Sequence, residues 1–143
     1  MFSKACEYAI KALIQIGLSS KQGKRINLQT VAKNIDSPVA FTAKILQALV
    51  KENIVTSIKG PAGGYEISKE NSETTLLQVV EIIDGEKIYN GCGLGLKKCN
   101  PSRPCPMHDR FIQIRTDLKN MLTSTSLDQL TTEYNENLNF LKR

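Results

Sequence analysis

The chain has 143 residues, 41% of them hydrophobic and 23% charged, which fits one folded domain with its own core, or a small domain with an arm, and excludes a barrel enzyme or a two-domain dehydrogenase. No apolar run approaches the ~18 residues a membrane helix needs; Lys4, Glu7 and Lys11 interrupt the first apolar stretch, so no signal peptide is expected and the cytoplasm is the default compartment. The net charge of +5 is uneven, with nine Lys/Arg against three acids in residues 1–65 and ten against eleven in residues 66–143, which makes the first part the candidate for a polyanionic partner.

Residues 4–18 carry Ala5, Tyr8, Ala9, Ala12, Leu13 and Ile16 at helical spacing, which predicts an amphipathic helix. A polar loop over 21–25 ends it. Leu28, Val31, Ala32 and Ile35 predict a short second helix. Asp36-Ser37-Pro38 then stops one helix and starts the next, with Ser37 as cap and Pro38 in the first turn. A third helix runs from about Val39 to about Glu52, with Thr42, Ile45, Leu46 and Leu49 on one apolar face. Two strand-like pieces, Ile54–Ile58 and Gly64–Ile67, flank Lys59-Gly60-Pro61-Ala62-Gly63-Gly64-Tyr65. Glycines that tolerate positive φ, with a proline that pre-sets a turn, predict a hairpin with an exposed tip. Helix, helix–turn–helix and hairpin in this order predict a winged helix-turn-helix domain over residues 1–73.

Residues 74–143 form a second, helical region. Leu76, Val79, Val80 and Ile83 predict a helix that Gly85 terminates. Residues 86–106 lack periodicity, and a loop of about 20 residues inside a compact protein tends to be functional. A helix follows from about Pro106 to about Thr123. Phe111, Ile114, Leu118 and Met121 occupy its a and d heptad positions, an apolar stripe suited to a dimer helix or to packing back on the same chain. Ser126–Arg143 is a weaker candidate for a last helix. The fold class is thus mainly α with a small β wing, a winged helix-turn-helix domain followed by a long dimerisation helix.

Two groups of residues carry chemistry. The third helix is the candidate recognition helix, whose first residues meet base edges in the major groove of duplex DNA. Ser37, Val39, Ala40, Phe41, Thr42, Ala43 and Lys44 are placed there. Thr42 and Lys44 can hydrogen-bond, whereas Phe41 and Ala43 offer only apolar contact, and Phe41 could equally be core. Lys21, Lys24, Arg25, Lys33 and Lys51 would reach phosphates. Lys59, Gly60, Pro61 and Gly63 form the wing tip, and this glycine-rich stretch lacks the Gly-Lys-Ser/Thr ending of a phosphate loop.

The second group lies in the 86–108 loop. Cys92, Cys99 and Cys105 fall within fourteen residues, with gaps of six and five, and His108 follows. Disulfides are rare in the cytosol, so metal binding or redox chemistry moves up. Structural zinc favours tighter pairs, whereas wide gaps in a Gly-rich loop suit a larger object such as a two-iron or four-iron cluster. Lys97, Lys98 and Arg103 would offset its negative charge. Structural zinc and metal-free thiol switching are the rivals. His108 and Glu7 compete as fourth ligand, and Cys6 is expected to pack as a small hydrophobe. A thiol enzyme is disfavoured, because nothing marks an oxyanion site.

Taken together, the Lys59–Tyr65 stretch and the triple-cysteine loop closing in Cys105-Pro106-Met107-His108 resemble the winged-helix transcriptional regulators of the IscR/NsrR type, the Rrf-two family. The resemblance covers the chain from Tyr8-Ala9 to about Leu130. It implies a cytoplasmic homodimer that binds a double-stranded DNA operator, most simply as a repressor, with affinity set by an iron–sulfur cluster in the loop. It also implies two ligand sets. Cys92, Cys99, Cys105 and His108 would hold a two-iron cluster, or the three cysteines with Glu7 of the partner subunit would hold a four-iron one. Ala43 stands where the IscR-like pattern has an acidic residue. Neither an enzyme nor a membrane partner is implied.

Overall fold

The computed structural model describes residues 1–134 and 141–142. Among these the chain is mostly helical, in the order α1 (Lys4–Lys21), α2 (Leu28–Asn34), α3 (Val39–Lys51), β1 (Thr56–Ile58), β2 (Gly64–Glu66), a 3-10 turn (Asn71–Glu73), α4 (Leu76–Ile83), α5 (Lys87–Asn90), α6 (His108–Ser124) and α7 (Leu127–Glu133). The part of the expected last helix at 135–140 and 143 lies outside the described residues.

α1 is the central rod. Ala9, Ala12, Leu13 and Ile16 are fully buried, one apolar face at helical spacing. Ser3 caps the helix by accepting the Cys6 N–H at 3.0 Å. The Ser3 amide in turn donates to Asp84 at 2.9 Å, which ties the start of α1 to the end of α4. α2 and α3 pack against α1 through Val31, Ile35, Ile45, Leu46 and Leu49. Each such side chain contributes about 1.5–3 kcal/mol by leaving water. The cap of α3 differs from expectation. Pro38, not Ser37, occupies the N-cap and makes no side-chain cap bond. The Ser37 hydroxyl instead bonds the Thr42 hydroxyl.

The wing is shorter than the two strand-like pieces. Thr56 pairs with Glu66, Ser57 with Tyr65 and Ile58 with Gly64. Ile54 and Val55 are buried in the core and anchor the wing from below instead of extending it. Gly64 has φ +138°, and a Cβ there would lie 2.8 Å from the Ile26 carbonyl oxygen. Only glycine lets β2 approach this closely, and Tyr65 then exchanges backbone hydrogen bonds with Ile26 at 2.8 and 3.2 Å.

α4 packs on α1 and α3, α7 packs on α1, and α6 packs on α4 and α5. The main core includes Val79 and Leu127, and a smaller cluster gathers Cys6, Leu76, Val80, Tyr89 and Leu122. α4 and α7 each open on a capping box, Thr75 with Gln78 and Ser126 with Gln129. The two starts lie side by side: Leu76 N–H donates to the Thr125 carbonyl and Leu127 N–H to the Thr74 carbonyl, both at 2.9 Å. The expected loop over 86–106 contains α5, and α6 starts at His108, two residues later than expected.

Candidate functional site

Two surfaces carry the predicted site residues. The first is the face made by α3 and the wing. Burial of Ile45, Leu46 and Leu49 turns Val39, Ala40 and Lys44 outward. Thr42 goes with the core. It is 1% exposed, and its hydroxyl donates to the Pro38 carbonyl at 2.8 Å. Thr42 is therefore corrected from a base-contacting residue to a core residue that braces the first turn of α3. Phe41 is half-buried and meets Tyr8 edge-on, with ring centroids 5.7 Å apart. Ser37 is half-buried on the same hydroxyl pair.

A shallow groove separates α3 from the wing, lined by Ala40, Ala43, Lys44, Gln47, Ser57 and Tyr65. Gln47 lies one turn beyond Lys44 on the side of α3 opposite the apolar face, as its spacing predicts, but was not named among the base-contacting residues. The signal was available, since the helical period that buries Leu46 and Leu49 turns position 47 to solvent. Lys24, Lys59, Gly60 and Pro61 are exposed, and Gly63 is half-buried at the base of the tip. Arg25 is committed to holding the wing. Its guanidinium pairs with Glu66 at 3.0 Å and donates to the Ala62 carbonyl at 3.3 Å.

The second surface is the cysteine loop at the foot of α6. His108 is 7% exposed, and its backbone N–H donates to the Cys105 carbonyl at 3.0 Å. Its ring Nδ1 lies 3.2 Å from the Cys99 sulfur. Cys105 is a neighbour of Cys92. The backbone N–H groups of Leu94 and then Leu96 point at the Cys92 sulfur and hold its thiol below the ordinary value; the Arg115 charge and the Cys105 contact add to this. The four predicted loop ligands thus stand as two pairs. Among the described residues, no three His, Cys, Asp or Glu groups are placed to hold a single metal ion. Glu7 is not with them; it pairs with Lys4 at 3.1 Å on α1. Cys6 is fully buried, and burial, with the Asp84 carboxylate beside it, pushes its thiol up to about 12.

Arg115 is the loop partner that sequence reasoning missed. It is half-buried on α6. It donates to the Gly91 carbonyl and, at 3.7 Å, to the Cys99 sulfur. Its position follows from the inward stripe of α6, which is His108, Phe111, Arg115, Leu118 and Leu122. The predicted apolar stripe is therefore split. Phe111 and Leu118 face the protein, while Ile114 and Met121 are 61% and 45% exposed. The loop's own residues fit an iron–sulfur group in their chemistry. They offer three soft thiol donors and one imidazole, N–H groups aimed at a sulfur, and a guanidinium against the negative charge.

Comparisons with known proteins identify the family. The family model described as "Iron-dependent Transcriptional regulator", that of the Rrf2 family, matches residues 2–133. A relative in Aquifex aeolicus, provisionally named an HTH-type transcriptional regulator, is 27% identical over 132 residues, covering 91% of this chain and 90% of that protein. The HTH-type transcriptional regulator IscR of Photorhabdus laumondii is 25% identical over 123 residues, 86% of this chain and 74% of the other. Among solved structures, CymR, the global cysteine regulator of B. subtilis, superposes with a TM-score of 0.77 at 18% identity, covering 94% of this chain and 98% of that one. The IscR of T. potens gives 0.72 at 16% identity, covering 95% and 89%. No helix among the described residues is long and apolar enough to cross a membrane. An exposed winged-helix face and a family match that runs from α1 through α7 together place this chain in the Rrf2 family of transcriptional regulators.

Proposed function

We propose that this protein is a cytoplasmic, homodimeric regulator that binds a two-fold DNA operator, acts as a repressor, and reads out an iron–sulfur cluster held in the 86–108 loop. One observation carries the sensor part: the His108 ring nitrogen stands 3.2 Å from the Cys99 sulfur, in a loop where Cys92 and Cys105 are neighbours. Two pairs of donors are what a two-iron cluster takes, one pair for each iron. His108 is thereby favoured over Glu7, whose carboxylate is engaged by Lys4. The names of relatives called IscR and the iron-dependent description of the family support the same reading. A bound cluster supplies a centre that gains or loses an electron, or is lost, in response to redox state, cluster supply or nitric oxide.

The chain's own residues do the rest. Ala40 and Lys44 with Gln47 face the groove from α3, Val39 is exposed at the start of that helix, and Lys59, Gly60 and Pro61 extend the wing toward phosphate or the minor groove. Lys24 adds a phosphate contact, and Arg25 and Gly63 shape the wing. The loop reaches this face through α5 and α4, which packs on α3. Reordering the loop therefore biases the position of the recognition helix, a population shift between two arrangements.

A thiol-switch reading has its own support. Cys92 has a lowered pKa and a cysteine neighbour, and one structural neighbour is a cysteine regulator by name. Division of the chain into a DNA-binding part (1–73) and a sensing and dimerising part (74–143) belongs to either reading. The test is protein purified without oxygen, counted for iron and acid-labile sulfide, then used to select binding sites from random duplex DNA. About two irons per chain and an affinity for selected sites that changes 5–150-fold on cluster removal are expected. Cys99→Ala should lose both. Metal-free protein whose DNA affinity follows disulfide formation would replace the cluster reading with the thiol one.

A further inference from the structure

We propose that Arg115 is a positioning residue of the sensor loop: its guanidinium clamps the loop to α6 through the Gly91 carbonyl and holds a positive charge against Cys99 and Cys92, which raises the reduction potential of the cluster the loop binds. The proposal rests on the cluster reading for its second half and on geometry alone for its first.

Three contacts converge on this one side chain. One guanidinium nitrogen donates to the Gly91 carbonyl, the residue before the first cysteine. A second donates to the Cys99 sulfur at 3.7 Å. The third, Nε, donates to the Phe111 carbonyl at 3.3 Å, one turn back along α6, which fixes the direction of the fork. Arg115 thereby bridges residues 91 and 99, the two ends of the segment that carries Gly93, Gly95, Lys97 and Lys98. Among the described residues it makes no ion pair with a carboxylate. Its charge is therefore left for the sulfurs.

The loop's other cations are placed differently. Lys97, Lys98 and Arg103 are exposed, where water screens them. Arg115 is half-buried, and a charge there acts more strongly. A cluster bound by thiolates gains negative charge when it takes up an electron. A fixed guanidinium beside its ligands stabilises that reduced form, as do hydrogen bonds to the sulfurs. Lysine keeps the charge but cannot reproduce a planar three-way fork. The clamp and the charge can therefore be separated by substitution.

The experiment compares wild type, Arg115→Gln, Arg115→Lys and the exposed control Arg110→Gln. The first readout uses metal-free protein and limited trypsin, with cleavage after Lys97 and Lys98 followed by mass spectrometry. Arg115→Gln should be cut several-fold faster than wild type at these two bonds, Arg115→Lys at an intermediate rate, and the control at the wild-type rate. Equal rates for wild type and Arg115→Gln would overturn the clamp. The second readout is the midpoint potential of the loaded protein by optical titration. It should fall in Arg115→Gln and return toward wild type in Arg115→Lys; an unchanged potential in Arg115→Gln overturns the charge role. If Arg115→Gln does not fold, Arg115→Lys carries the clamp test alone, and a wild-type cleavage rate in it overturns the fork. A wild-type protein that takes up no cluster overturns the cluster reading and the charge role together, while the cleavage rates still decide the clamp.

Discussion

At the scale of single residues, burial decides roles that residue type leaves open. Thr42 has a hydroxyl that could meet a base edge, yet it sits at the same helical phase as Ile45, Leu46 and Leu49, and the core takes it. That phase was visible in the sequence, whereas the choice between two uses of one hydroxyl was not. Arg115 shows the opposite limit. A charged residue inside an apolar heptad reads as solvated, and only the fold of a distant loop supplies the carbonyl and sulfur that hold it. Cys6 was legible as core because it lies among apolar positions of α1. Its titration gives a testable pH effect. The thiol has an ordinary value of 9.0 and is pushed up to about 12 in the folded chain by burial and by Asp84. Above pH 9 the unfolded chain releases this proton while the folded chain keeps it. Stability from this group is therefore complete below pH 9 and is lost as pH rises from 9 toward 12, by at most about 1.4 kcal/mol per pH unit. Thermal melts should fall more steeply over that window in wild type than in Cys6→Ala, which itself loses about 1 kcal/mol at neutral pH from the vacated volume. Parallel melting curves would show that the thiol ionises freely.

At the scale of elements, periodicity located α1, α3, α4 and α6, and turn chemistry located the wing. α5 escaped because four residues leave no period to detect. The strand pieces were overlong because Ile54 and Val55 have strand-like side chains that the core uses as anchors. α6 is the instructive case. A heptad pattern was read as one stripe, but a helix laid on α4 and α5 buries only part of it. Ile114 and Met121, two turns apart on one face, remain outside at 61% and 45% exposure, an apolar stripe of the kind a second copy would cover. Ile114→Glu and Met121→Glu should therefore halve the mass seen by sedimentation equilibrium. The exposed positions should cost the folded monomer within about 0.5 kcal/mol. A dimer that survives both substitutions would place the interface elsewhere.

At the scale of the whole molecule, the basic charge and the winged-helix fold lie in the same part of the chain. The excess of Lys and Arg lies in residues 1–65, the part that carries α3 and the wing. The cysteine loop lies in the part with nearly balanced charge. DNA affinity should accordingly fall steeply with salt, because phosphate contacts release counterions. Lys44→Ala and Lys59→Ala should each lower the slope of log affinity against log salt by about 1. A slope unchanged by both substitutions would remove α3 and the wing from the DNA contact. What the sequence could not convey is how the two parts meet, since that depends on Ser3 bonding Asp84 and on α4 packing against α3, contacts between residues far apart in the chain.

The paired starts of α4 and α7 have a further consequence. The backbone bonds between Leu76 and Thr125 and between Leu127 and Thr74 close residues 75–126 into a ring fastened at its neck. The cysteine loop lies within that ring. A single break after Lys98 would leave α6 held against α4 and α5, and α7 held against α1. The two fragments should stay associated without denaturant, so the cysteine loop's helix and the face made by α3 and the wing would remain one object even when the chain that joins them is cut.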